Sequence, residues 1–171
     1  MKDKVVGLQC TRRSGRPHAG PDRYHLLHTL FESPLAPHLD HVAPQLASID
    51  PDSGYLDLWA EHLGRSAGIL LITSEPPGAL RSHLREIFLA SDEEDFQYSF
   101  RYYDPRVLRV YLPTCTGEEV QEFFGPIRRI LVEAETPGVV LVCEPTRVGA
   151  NIEERPIQQA QRRTPSEEDS P

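Results

Sequence analysis

Three proline junctions between residues 104 and 126, Asp104-Pro105, Leu112-Pro113 and Gly125-Pro126, constrain this chain more than any other feature. A proline inside a helix loses a hydrogen bond and clashes with the preceding turn, yet it suits the first helical position. The spacing therefore predicts a helix with Asp104 as N-cap and Pro105 at its first position. Its apolar stripe is Val107, Leu108, Tyr111 and Leu112, and Pro113 stops it. Thr116, followed three residues later by Glu119, has the form of a capping box. It predicts a second helix buried through Val120, Phe123 and Phe124, with Gly125 as its stop. Pro126 prevents continuation, and Ile127 to Val132 return as a strand. Ahead of these helices, residues 96–103 alternate. Phe96, Tyr98, Phe100 and Tyr102 share one face and Gln97, Ser99, Arg101 and Tyr103 the other, which is strand periodicity.

The rest of the chain is read outward from this stretch. Asp50-Pro51 opens a helix by the same device, with Tyr55, Leu56, Leu58, Trp59 and Leu63 inward and Gly64 as its end. The apolar run Gly68 to Thr73 has the length of a central strand. Leu80, Leu84, Ile87 and Phe88 repeat at helical spacing, with Arg81, His83, Arg85 and Glu86 on the outer face. Val139 to Cys143 forms a last strand after the Pro137-Gly138 turn. Tyr24 to Phe31 reads as a helix or an extended segment, and Leu46 to Ile49 as a short strand. Lys4 to Gln9 is strand-like, but the Gly-, Pro- and Arg-rich run after it reads as loop or disorder. These readings predict an α/β or α+β domain, a mixed sheet of about four to five strands covered by helices. They divide the chain into a basic, poorly ordered arm (1–23), one domain (24–144) and a disordered polar tail (145–171).

Composition excludes several function classes. A net charge of −8 disfavours nucleic acid as a partner. The charge is uneven. Lys2, Lys4, Arg12, Arg13, Arg16 and Arg23 against Asp3 and Asp22 give residues 1–30 a charge of +4, leaving −12 for the remainder. No apolar run approaches a membrane span, and no secretory signal is recognisable, so the expected location is the cytosol. Cys10, Cys115 and Cys143 form no close-spaced pair, which fits a reducing compartment rather than a disulfide framework.

Candidate chemistry is sparse. His25 with His28, and His38 with His41, have a spacing that would bring two imidazoles to one metal. With only Asp40 adjacent and no cysteine nearby, solvated histidines are the better reading, and no metal or cofactor is expected. Cys115 in a turn and Cys143 on an apolar strand read as packing residues, not nucleophiles. No catalytic motif is found, and no catalytic residue is assigned. Arg101, Asp104 and Arg106 form the one polar cluster of interest. It is a helix cap braced by arginine, an anion site, or a contact surface.

The stretch FRYYDPRVLRVYLP followed by FFGPIRRILVE resembles the hallmark region of the type VI secretion effector chaperone/adaptor family (Tap or Tec type), formerly a domain of unknown function. VAPQLASID, GYLDLW, GRSAGILLIT and LRSHLREIF precede it in the same order, so the resemblance spans roughly Leu35 to Glu135. It implies a non-catalytic cytoplasmic adaptor of bacteria that binds a toxic effector and loads it onto the VgrG spike. Relatives usually open with a sheet-seeding strand, a place that Val5 to Leu8 fills here unless the opening is degenerate. They usually continue into a second, mainly helical lobe, where this chain has its short polar segment. Arg101, Tyr103, Asp104 and Arg106 match the signature and are the partner-binding candidates, while Pro105, Gly125 and Pro126 are structural. The alternative is a small enzyme or ligand-binding module with an anion site at Arg101, Asp104 and Arg106. A deep pocket converging on those residues would mark it, and a broad exposed patch would mark the adaptor.

Overall fold

The computed structural model describes residues 3–10, 24–30, 44–50, 52, 55–66, 68–91 and 97–157. Its frame is a seven-stranded sheet in the order β2-β3-β1-β4-β7-β8-β9. The strands are β1 (Lys4–Cys10), β2 (Tyr24–Thr29), β3 (Pro44–Ile49), β4 (Ile69–Thr73), β7 (Ile127–Glu133), β8 (Val139–Pro145) and β9 (Ala150–Pro156). Two short strands, β5 (Leu89–Ser91) and β6 (Gln97–Ser99), pair with each other. Every pairing is antiparallel.

Alternation within the strands gives the sheet two apolar faces. Val6, Leu8, Leu46, Ile69, Leu71, Ile130, Val132 and Cys143 point into the larger core. Three helices close that core: α2 (Pro77–Phe88), α3 (Pro105–Tyr111, followed by a 3₁₀ turn at Leu112–Thr114) and α4 (Gly117–Phe124). Leu80 and Leu84 of α2, Leu108 of α3 and Val120 of α4 are fully buried there, each a gain of about 1.5–3 kcal/mol. The opposite face is smaller. Ile49, Leu70 and Val140 meet Tyr55 and Trp59 of α1 (Tyr55–Glu61). The fold is therefore α+β, one antiparallel sheet with helices on both faces.

A buried carboxylate ties these layers together. Glu133, at the end of β7, accepts from the backbone N–H of Gly64 (2.8 Å) and of Ser66 (3.0 Å), fixing the loop after α1. Its own backbone carbonyl accepts from Arg109 of α3 at 2.8 Å.

The two proline-led helices form as expected. Asp104 caps α3 and Pro105 occupies its first turn. Thr116 and Glu119 make a reciprocal capping box on α4, in which the Thr116 N–H donates to Glu119 Oε2 at 2.7 Å. Donation from the Thr116 backbone, then from its hydroxyl, holds the Glu119 carboxyl below its usual range. This contribution is complete above the unfolded carboxylate's pKa, about 4.3, and is lost as pH falls through the lower folded value. Thr116→Ala is expected to lower the unfolding free energy by about 1 kcal/mol at neutral pH in urea titrations. It should also flatten that part of the acid profile. An unchanged midpoint would mean the box contributes nothing.

Several expectations are corrected. The sheet has seven strands plus the β5–β6 pair, not four to five, and it is antiparallel rather than mixed. The arm assigned to residues 1–23 contains β1, a strand paired on both sides. Val6 and Leu8 are buried, so the strand-like run Lys4 to Gln9 belongs to the sheet and not to a separate arm. Residues 11–23 lie outside the described residues. The tail assigned to residues 145–171 begins with β9, paired with β8 along its length. As the last strand of the sheet it needs little apolar surface, so the polar string ANIEERP resembles a tail. Of the two readings of Tyr24 to Phe31, the extended one holds over Tyr24–Thr29. The strand expected over residues 96–103 shrinks to Gln97–Ser99. Tyr102 and Tyr103 are then both buried in a turn, which alternation forbids.

Candidate functional site

The signature residues meet at the entry to α3. Asp104 has an extended backbone and turns both carboxylate oxygens to the helix start. Its Oδ1 accepts from the Arg106 N–H at 3.0 Å and from Arg106 Nε at 2.9 Å, while Oδ2 pairs with the Arg106 guanidinium. Aspartate caps, proline presets the first turn, and arginine folds back to neutralise the cap. Arg101 is exposed, and its carbonyl accepts from the Asp104 N–H. Tyr103, a partner-binding candidate by sequence, is a core residue stacked on Phe88 with centroids 6.4 Å apart. Of the four candidates, Arg101 and Arg106 are the exposed ones.

Beside Arg106 lies an open apolar trough of about 660 Å³, lined by Phe100, Arg106, Val107, Val110, Tyr111 and Thr114. Val110 is 72% exposed, and it adds its aliphatic surface to that of Val107 in the trough. Neither Arg101 nor Asp104 lines this trough. A second depression, of about 310 Å³, shares Phe100 and Tyr111 with the trough and continues toward α4. Sequence analysis missed both. Their walls come from the β6–α3 turn, α2, α3 and α4, and helical periodicity alone marks Glu119 and Glu122 as same-face residues.

Gly125 and Pro126 act in the frame. Gly125 has a φ of +47°, and a Cβ there would lie 2.4 Å from the His83 ring. His83 is no outer-face residue, as its helix position suggested. Its Nε2–H donates to the Phe123 carbonyl at 2.9 Å, joining α2 to α4. The Pro126 carbonyl accepts from the buried Thr73 hydroxyl at 2.8 Å. Gly117 has a comparable role, since a Cβ would sit 1.9 Å from the Arg147 carbonyl oxygen of the β8–β9 loop.

The thiols of Cys115 and Cys143 are buried. Burial pushes Cys143 up to about 12 and raises Cys115, whose thiol donates to the Tyr111 carbonyl at 3.4 Å. Burial also raises the phenols of Tyr102 and Tyr111. Tyr102 donates to the Leu84 carbonyl at 2.7 Å. His25 and His28 sit on extended β2, where helical spacing does not apply, and their side chains, like His38, Asp40 and His41, lie outside the described residues. Among the described residues no group of three His, Cys, Asp or Glu is placed to hold a metal, and no helix is long and apolar enough to cross a membrane.

The family model described as "Domain of unknown function (DUF4123)" matches residues 12–122. The chain belongs to this family. No curated protein and no solved structure matches it. The DUF4123 match takes in β2 to β4, α1 to α3 and most of α4, and so both the Asp-Pro-Arg turn and the trough beside it. It stops short of Gly125-Pro126 and omits β1, β7, β8 and β9.

Proposed function

We propose that this chain is a non-catalytic cytoplasmic adaptor that binds a type VI secretion effector and loads it onto a VgrG spike protein. The reading starts from membership of the DUF4123 family, which is associated with adaptors of this kind. The observation that carries it is the trough on α3, broad, open and apolar, with exposed Val110 and Arg106 in its lining. Such a surface suits a protein partner better than a small substrate, which would be engulfed by an enclosed pocket with convergent polar groups. The enzyme alternative needs a deep pocket shared by Arg101, Asp104 and Arg106, whereas the trough beside Arg106 is open and is lined by neither Arg101 nor Asp104.

The test is affinity capture from a bacterium expressing its type VI system, with mass spectrometry as readout. Wild-type bait is expected to recover a spike protein or a toxin. Val110→Asp and Arg106→Glu baits should recover at least about tenfold less. Val110→Asp lies on an exposed helical surface and should leave stability within about 0.5 kcal/mol. Recovery of neither partner by wild-type bait would overturn the adaptor reading.

A further inference from the structure

The second depression differs chemically from the trough it adjoins. Its floor is aromatic. Phe100 and Tyr111 lie 4.6 Å apart, Tyr111 and Phe123 5.4 Å, and Phe100 and Phe123 6.2 Å, each pair inclined by 62–63°. Its rim carries Glu86 from α2 and Glu119 and Glu122 from α4, all exposed. Glu119 uses one oxygen, Oε2, in the capping box. The nitrogen base in the lining is His83, whose Nε2–H is already given to the Phe123 carbonyl. At about 310 Å³ the depression is at the bottom of the range for small-molecule sites, roughly 300–1,000 Å³. It is large enough for one long side chain.

Aromatic rings beneath and carboxylates around are the two features that favour an organic cation over other guests. The carboxylates of Glu86, Glu119 and Glu122 line the depression, while apolar Val107 and Val110 and the nearly half-exposed Arg106 line the adjoining trough, the two being joined through Phe100 and Tyr111. We infer that this groove reads a protein segment bearing an arginine or lysine, an aliphatic side chain and a carboxylate. The cation enters the pocket of Phe100, Tyr111 and Phe123, and the aliphatic group covers Val110. The partner's carboxylate meets Arg106. The inference rests on the adaptor reading, which it deepens by giving the chemistry of the recognised segment.

The test has two arms on the full chain. In the first, N-acetyl-arginine methylamide and its uncharged citrulline counterpart are titrated and followed by NMR. Saturable shifts confined to the pocket lining are expected with arginine and not with citrulline. The Glu86→Gln/Glu122→Gln double variant, altered at two exposed sites, should bind about five- to tenfold more weakly. Equal shifts with citrulline, or shifts scattered over the acidic surface, overturn the inference.

In the second arm a Glu86→Arg/Glu122→Arg bait is compared with wild type in the capture experiment. At least about tenfold lower recovery of the identified spike protein or toxin supports the inference. Equal recovery overturns it and leaves the adaptor reading standing. If wild type recovers neither partner, the adaptor reading fails, and with it the protein segment as occupant; the titration alone then decides whether the pocket binds a cation.

Discussion

Phe123→Ala is expected to lower the unfolding free energy by about 3–5 kcal/mol, moving the melting temperature by roughly 10 °C. The ring is 3% exposed and is the hub of an aromatic cluster. It meets Phe100, Tyr102, Tyr111 and Phe124 at centroid distances of 6.2, 6.0, 5.4 and 5.8 Å, all edge-to-face. Removing it leaves a cavity where β6, α3 and α4 converge, and dense packing prevents full collapse. Phe123→Leu keeps most of the volume and loses mainly the ring contacts, about 0.5–1.5 kcal/mol per pair beyond area. It should therefore fall between wild type and alanine. A loss below about 1.5 kcal/mol for alanine, read from chemical denaturation, would contradict the packing described.

Gly125→Ala is expected to cost about 3 kcal/mol from two separable sources. A left-handed backbone costs an L-residue roughly 1–2 kcal/mol, and Gly125 has a φ of +47°. The new methyl group also strikes the His83 ring, an overpacking cost of about 1–3 kcal/mol. A cycle with His83→Ala divides them. In the His83→Ala background the methyl has room, so Gly125→Ala should there cost the backbone share alone. Identical costs in both backgrounds would show that His83 does not press on this turn.

Legibility in the sequence followed the range of the interaction. The helices α3 and α4 were readable to within a residue or two because Asp104, Pro105, Pro113, Thr116 and Glu119 act on backbone groups within three positions of themselves. β9 was not, and β1 only as a strand-like run set apart from the domain, because what places them in the sheet is their neighbours. Lys4–Cys10 is held by strands that begin at Pro44 and Ile69, and Ala150–Pro156 by β8. Glu133 gave no sign of burial, since the amides it binds lie 67 and 69 residues away. The trough went unseen for the same reason. Val110 is one exposed aliphatic residue until Phe100 and Tyr111 are placed beside it. Tyr103 was placed on the face opposite Tyr102 because strand alternation was extended through a turn, where both are buried.

The place of β1 in the sheet has a practical consequence for producing the protein. It is the seam that joins β3 to β4. A fragment cut to the family-matched residues 12–122 loses that seam together with β7, β8 and β9. What remains of the seven-stranded sheet is a β2–β3 ribbon and an isolated β4, each with open hydrogen-bonding edges of the kind that drive aggregation. The boundaries of the recognised family are not those of the folding unit, and a soluble recombinant form must run from Lys4 through Ile157.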